Sequence, residues 1–178
     1  MVRDGDILHE LTADHALTAV TFSRIVALPV GDQERKTLVD EVTADLVRHS
    51  VTEEHYLYPL VHRLPGGAAI VDRELLSHRA VEALLSELAS RTARTPDFDR
   101  LVAQLIEKVT RHNGEEEARI FPALAEAVSP VRLLELGERA RRLKALLVNR
   151  AEAIMRKHEV PGAGRAPRRG GESSHDRS

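Results

Sequence analysis

Residues 48–59, RHSVTEEHYLYP, and residues 111–122, RHNGEEEARIFP, repeat one arrangement: an Arg, then a His, then Glu four and five places after the His, then a Pro ten places after it. Helical residues four apart share a face, so His49 with Glu53 and His112 with Glu116 each aim an imidazole and a carboxylate at one point. His78 with Glu82 gives a third such pair, and His15 adds a fourth imidazole. Imidazole mixed with carboxylate, and no thiolate, is the donor set of an iron, manganese or zinc site.

These residues need helices to bring them together, and the pattern supplies them. Apolar residues recur at three and four rather than at two, which predicts an all-α chain. A first helix is expected over residues 6–28, stopped by Pro29 and Gly31, and a second over 32–61, with Asp32 as N-cap and Pro65, Gly66 and Gly67 beyond its end. A third is expected over 69–94. Thr95 and Pro96 would open a fourth reaching 128, and Ser129 and Pro130 a fifth reaching 158. Short connections favour antiparallel neighbours, hence an up-down-up-down four-helix bundle over residues 1–128, an additional amphipathic helix over 129–158, and a basic disordered tail over 159–178. The fifth helix carries Leu133, Leu136, Ala140, Leu143, Leu147 and Ile154 close to a heptad stripe, to pack on the bundle or to pair with a second chain as a homodimer through residues 130–158.

Written as faces, each of the first four helices drives a His inward. Helix 1 gives Leu8, Leu11, His15, Ala19 and Phe22, and helix 2 gives Leu38, Val42, Leu46, His49, Glu53 and Leu57. Helix 3 gives Val71, Leu75, His78, Glu82 and Leu85, and helix 4 gives Leu105, Val109, His112, Glu116 and Ile120. Uncompensated buried charges cost several kcal/mol each against a net folding stability of about 5–15 kcal/mol. Three carboxylates and four imidazoles with no Arg on those faces therefore call for cations, and seven donors exceed what one tetrahedral ion takes. Two ions fit, with Glu53 and Glu116 bridging, His15 and His49 completing one, and His78, Glu82 and His112 the other.

Composition bounds the rest. With 178 residues and 42% hydrophobic content the chain can build one sizeable core, and without Cys it has no disulfide, zinc-thiolate site or cysteine nucleophile. No apolar run approaches the roughly 20 residues that span a bilayer, so a soluble, cytoplasmic protein with no membrane partner is expected. Beyond residue 129 lie 12 of the 26 Lys/Arg but 6 of the 28 Asp/Glu. That basic end has no aromatic residue for base stacking, so nucleic acid is not the expected partner.

The order of these elements resembles the hemerythrin-like, or HHE cation-binding, family: Asp14-His15 in helix 1, His49 with Glu53-Glu54 in helix 2, His78 with Glu82 in helix 3, and His112 with Glu116-Glu117 in helix 4. The resemblance covers residues 6 to about 128. It implies a four-helix bundle around a non-heme di-iron centre, oxo- or hydroxo-bridged when oxidised, that meets dioxygen, peroxide or nitric oxide; the donor types by themselves leave manganese and zinc open. Oxygen-carrying members place a second His one turn along helix 3, where this chain has Glu82. An anionic ligand there would favour the ferric state and point to catalase-like peroxide decomposition or oxidative-stress protection. The carriers also space the helix 4 carboxylate five residues from its His, which makes Glu117 the alternative to Glu116; the apolar stripe favours Glu116.

A second reading is a sensor of oxygen, iron or redox state acting through the fifth helix, and a weaker third is iron storage or transfer. Glu54, about 100° round from Glu53, is expected beside the site or at the surface. Tyr56 and Tyr58 could hydrogen-bond a ligand near the site, though wedges at a bundle end are the commoner use of such positions; Pro59 and Pro122 are expected as helix ends or kinks, and His9, His55 and His62 as solvent-facing.

Overall fold

The computed structural model describes residues 3–158, with side chains through residue 148. Five helical rods make up the described residues: α1 (Ile7–Ala27), α2 (Gln33–Thr52), α3 (Gly67–Ala89), α4 (Phe98–Glu115) and α5 (Pro130–His158). Both α2 and α4 run on without a break, through π-helical turns at Glu53–Leu57 and Glu116–Ile120, into short α-helical ends at Tyr58–Val61 and Phe121–Ala127. α1 packs on α2 and α3 on α4, and α5 lies across α1 and α2. The expected tail, residues 159–178, and the Ile154 side chain lie outside the described residues.

Caps set the helix starts. Asp6 accepts from the His9 N–H at 2.9 Å and Asp32 from the Glu34 N–H at 2.9 Å, satisfying donors that have no partner within the first turn. Thr95 and Pro96 do not open α4 as expected. Thr95 Oγ1 accepts from the Thr92 N–H at 3.0 Å in a turn between helices, α3 ends at Ala89, and α4 begins at Phe98.

The two prolines do not end the helices that carry them. A Pro ring inside an α-helix meets the carbonyl four residues back, and a π-helical turn just before Pro59 and Pro122 widens the backbone where that carbonyl lies. The widening also turns Tyr58 inward, 3% exposed, with its N–H bonded to the Glu53 carbonyl. The repeated Glu-Glu and the distant Pro thus belong to one local device, used twice.

Two apolar clusters fill the bundle. One holds Phe22, Ile25, Leu46, Leu85, Leu105 and Val109; the other holds Leu8, Leu11, Leu57, Ile120, Phe121 and Leu124. Leu133, Leu136 and Ala140 of α5 belong to the second cluster. α5 can come this close because Gly137 has no side chain: a Cβ there would lie 2.1 Å from the Gly5 carbonyl oxygen. Among the described residues no helix is long and apolar enough to cross a membrane.

Candidate metal centre

His15, His49, His78 and His112 come from α1, α2, α3 and α4, and all are buried. Glu53 and Glu116 open the π-helical turns and are fully buried. Their positions along the helices place this polar layer between the two apolar clusters, so water has little access to it.

Each imidazole has a carboxylate on its Nδ1. His15 Nδ1 lies 2.7 Å from Glu117, His49 Nδ1 3.1 Å from Asp14, His78 Nδ1 2.9 Å from Glu54 and His112 Nδ1 3.0 Å from Glu74. Ionised carboxylates only accept, so every Nδ1 donates, and a neutral ring then carries its lone pair on Nε2. All four Nε2 atoms converge. His15 and His49 bring theirs to 3.2 Å, His78 and His112 to 3.3 Å. Two lone pairs facing at that distance repel unless a cation or proton lies with them.

The carboxylates tell the same story. His49 Nε2 lies 3.0 Å from Glu53 Oε1, and His78 Nε2 lies 3.2 Å from Glu53 Oε2. Glu116 Oε2 lies 3.5 Å from His15 Nε2 and 3.7 Å from His112 Nε2. Close as these are, both Glu53 oxygens and Glu116 Oε2 are buried without an aligned hydrogen-bond partner. Buried polar atoms rarely stay unpaired, because each costs about 1–3 kcal/mol. His15, His49, Glu53 and Glu116 form one cluster able to hold a metal ion, and Glu53, His78 and His112 a second, with Glu53 common to both. A pair of cations would satisfy all these atoms at once.

Without metal, protons are drawn in instead. Burial alone would depress His49, but Glu53, Asp14 and Glu116 overcome it and raise its pKa to about 10. His112 is likewise raised to about 10 against its burial, by Glu53, Glu74 and Glu116. Burial pushes Glu53 up, and its His contacts more than reverse this and hold it well below the usual carboxylate range. Glu116, buried and then repelled by Glu53, is pushed up to about 7.

Six of the seven residues expected as ligands meet here, and Glu82 does not. It is exposed on α3, whose inward stripe is Glu74, His78, Val81, Leu85 and Leu88. The buried Glu one turn from His78 is Glu74, one turn before it rather than after, and it bonds to His112 rather than joining the Nε2 cluster. Without Glu82 the donor groupings are His15, His49, Glu53 and Glu116 at one half and Glu53, His78 and His112 at the other, with Glu74, His112 and Glu116 as a third. Glu54 and Glu117 sit beside the site on His78 and His15. His9, His55 and His62 are exposed.

Tyr58 is not a wedge. Its hydroxyl lies 3.0 Å from His78 Nε2 and donates to Glu116 Oε1 at 3.5 Å. The signal for it was present, since Tyr58 and Phe121 are equivalent positions of the repeat, nine places after His49 and His112. Phe121 stacks on His15 with ring centroids 5.7 Å apart. Two crevices approach the layer. One of about 360 Å³ between α1 and α4 reaches His15 and is lined by Ala16, Ala19, Phe22 and Val109; another of about 410 Å³ between α3 and α4 reaches His112 past Arg73, Lys108 and Arg111.

A family model described as the hemerythrin HHE cation binding domain matches residues 6–124. An uncharacterized hemerythrin-like protein of Schizosaccharomyces pombe is 28% identical over 102 residues, 56% of this chain and 50% of that protein, so the chain spans about half the length of this curated relative. The crystal structure of a hemerythrin HHE cation binding domain-containing protein from Mycobacterium kansasii has the same fold, with a TM-score of 0.75 at 24% identity over 89% of this chain and 94% of that one.

Proposed function

Given that the chain belongs to the hemerythrin HHE cation-binding family, we propose that it is a non-heme di-iron protein that decomposes hydrogen peroxide. His15 and His49 would hold one iron, His78 and His112 the other, and Glu53 and Glu116 would bridge them. The observation that carries the metal reading is the convergence of four Nε2 lone pairs and three unpaired carboxylate oxygens in a layer closed on both sides by apolar residues. Imidazole and carboxylate donors without thiolate suit iron. A bound iron pair supplies the redox couple and a binding position for peroxide, dioxygen or nitric oxide.

The chain's own groups do the rest. The Nδ1 carboxylates hold the imidazole rings in orientation and make their Nε2 atoms better donors. Burial, then the negative charge of Glu53 and Glu116, raises the pKa of Tyr58 above its ordinary value, so its hydroxyl keeps its proton. With His78 Nε2 as a metal ligand, the Tyr58 O–H would be placed to donate to an oxygen of a small ligand at that half. The crevice reaching His112, lined by Arg73, Lys108 and Arg111 with Glu74 and Glu115, is the more polar of the two and suits a polar substrate such as peroxide better than the one reaching His15. Peroxide is favoured over reversible dioxygen carriage by this hydroxyl, not by Glu82, which lies outside the site.

Iron-loaded protein mixed with hydrogen peroxide should release one dioxygen per two peroxides consumed, read with an oxygen electrode. Protein that holds two irons per chain but turns over no peroxide would sink the enzyme reading while leaving the metal centre standing. A second reading, a redox- or iron-responsive module signalling through α5, is favoured by a single contact: Lys144 of α5 bonds to Asp14, the partner of His49.

A further inference from the structure

The two imidazole pairs are held from outside in different ways. At the His78/His112 half, the carboxylate on His112 is Glu74, 2% exposed, which belongs to the bundle itself and meets Arg73 of the same helix at 3.3 Å. At the His15/His49 half, the carboxylate on His49 is Asp14, 29% exposed, and the same oxygen, Oδ2, takes hydrogen bonds from His49 Nδ1 at 3.1 Å and Lys144 Nζ at 2.5 Å. Lys144 lies on α5, twenty residues past the end of the family match at residue 124. The support on His49 is therefore itself held by α5, while that on His15 is Glu117 from the bundle.

We propose that Lys144 is a positioning residue for the metal at the His15/His49 half, acting through Asp14, so that docking of α5 and occupancy of that half are coupled. The proposal rests on the di-metal reading. Asp14 is exposed enough to swing into solvent, and the Lys144 ammonium fixes the carboxylate over His49 by sharing its oxygen. With Asp14 held, His49 keeps its Nδ1 bonded outward and its Nε2 aimed inward; partners of this kind act on the metal through the ligand they orient. A freely exposed ion pair would contribute little, but Lys144 is only 18% exposed and its carboxylate is engaged on both sides. Nor is Lys144 needed to dock the helix. Leu133, Leu136 and Ala140 are buried against the bundle, and Arg141 reaches Glu10 Oε1 at 2.6 Å and the Gly5 carbonyl at 3.0 Å. By linkage, metal at this half then stabilises the docked α5 by as much as docked α5 favours the metal.

The test is anaerobic titration of full-length, metal-free protein with ferrous iron, followed by calorimetry, on wild type, Lys144→Met, Lys144→Arg and Arg141→Ala. Expected is a loss of about 10- to 100-fold in affinity for one of the two ions in Lys144→Met, with the other within about twofold, recovery in Lys144→Arg, and wild-type binding in Arg141→Ala. Asp14→Asn should show the same one-ion loss, and combining it with Lys144→Met should add nothing further. Unchanged binding in Lys144→Met overturns the proposal, as does equal weakening of both ions in Lys144→Met and Arg141→Ala, which would make Lys144 a docking contact only. A wild type that takes up no iron fails at the earlier step and removes the di-metal reading itself.

Discussion

The two halves of the polar layer are built on one plan and finished differently. His15 corresponds to His78, His49 to His112 and Glu117 to Glu54, each imidazole with a carboxylate on its Nδ1, and Glu53 and Glu116 hold the same place in the repeat. The halves part at two places. Phe121 stacks on His15 where Tyr58 brings a hydroxyl to His78, and Asp14, tied to α5, stands where Glu74 is buried within the bundle. Their approaches differ as well, largely apolar at the first half and charged at the second. The shared parts are those able to hold a cation, and the parts that differ are those that could make one cation behave unlike the other. A repeat can thus fix a binding site while leaving reactivity to a few positions.

Breaking a shared part should have the largest effect. Glu53 faces both imidazole pairs, so Glu53→Gln is expected to take the protein from about two metal ions per chain to almost none, whereas His15→Ala should lose only one; elemental analysis separates the two. Retention of both ions by Glu53→Gln would break the bridging assignment.

Exchanging the differing aromatic residues sharpens the comparison next. Tyr58→Phe makes the second half resemble the first, and should lower peroxide turnover by about 100-fold with the metal count unchanged. Phe121→Tyr adds a hydroxyl at the first half and is expected to leave metal binding alone. A Tyr58→Phe protein with full turnover would make the hydroxyl a packing detail.

On α3, Glu74→Gln is expected to weaken one ion by about tenfold, while Glu82→Gln, equally distant from His78 in sequence, should change neither binding nor stability by more than about 0.5 kcal/mol. Metal titration beside a melting curve reads both. An effect of Glu82→Gln on binding would restore the ligand set expected from spacing.

The smallest expected effect is a slope with pH, shared by both halves. In the metal-free protein the His49 and His112 pKa values are raised from 6.5 to about 10, so the stability they contribute is fully present below pH 6.5 and is lost as pH rises through about 10. Glu116, raised from 4.5 to about 7, adds a loss in the same direction between those values. Glu53 is depressed, and its contribution is lost only as pH falls below 4.5. Metal-free protein should therefore melt at progressively lower temperature from about pH 5 to pH 10. Metal-loaded protein should be flatter, since a metal takes the place of those protons. Scanning calorimetry across that range checks the slope.

Much of this was legible in advance. On α2 and α4 the His, the Glu four places on and the flanking apolar residues form an unbroken stripe, so the inward face could have only one orientation. On α3 it could not be fixed. Glu74 and Glu82 both lie one turn from His78, and periodicity treats the two directions alike. Which faces inward depends on how α3 is rotated against α4, and the packing of Val81, Leu84, Leu85 and Leu88 turns Glu82 out. Which of its two expected uses Tyr58 takes could not be fixed for a related reason, because a π-helical turn shifts every later residue of its helix by about 100° and leaves only a Pro as its trace.

The sequence by itself determined the all-helical class, the imidazole layer and the two bridging-type carboxylates, because these follow from spacing along single helices, where geometry is local. The tertiary structure alone decided which carboxylate backs which imidazole, that the two pairs are separate and equivalent in number, and that α5 reaches the site through Lys144. Those contacts join residues from different helices, and their existence depends on how the rods rotate and slide against one another, which no single helix's periodicity contains.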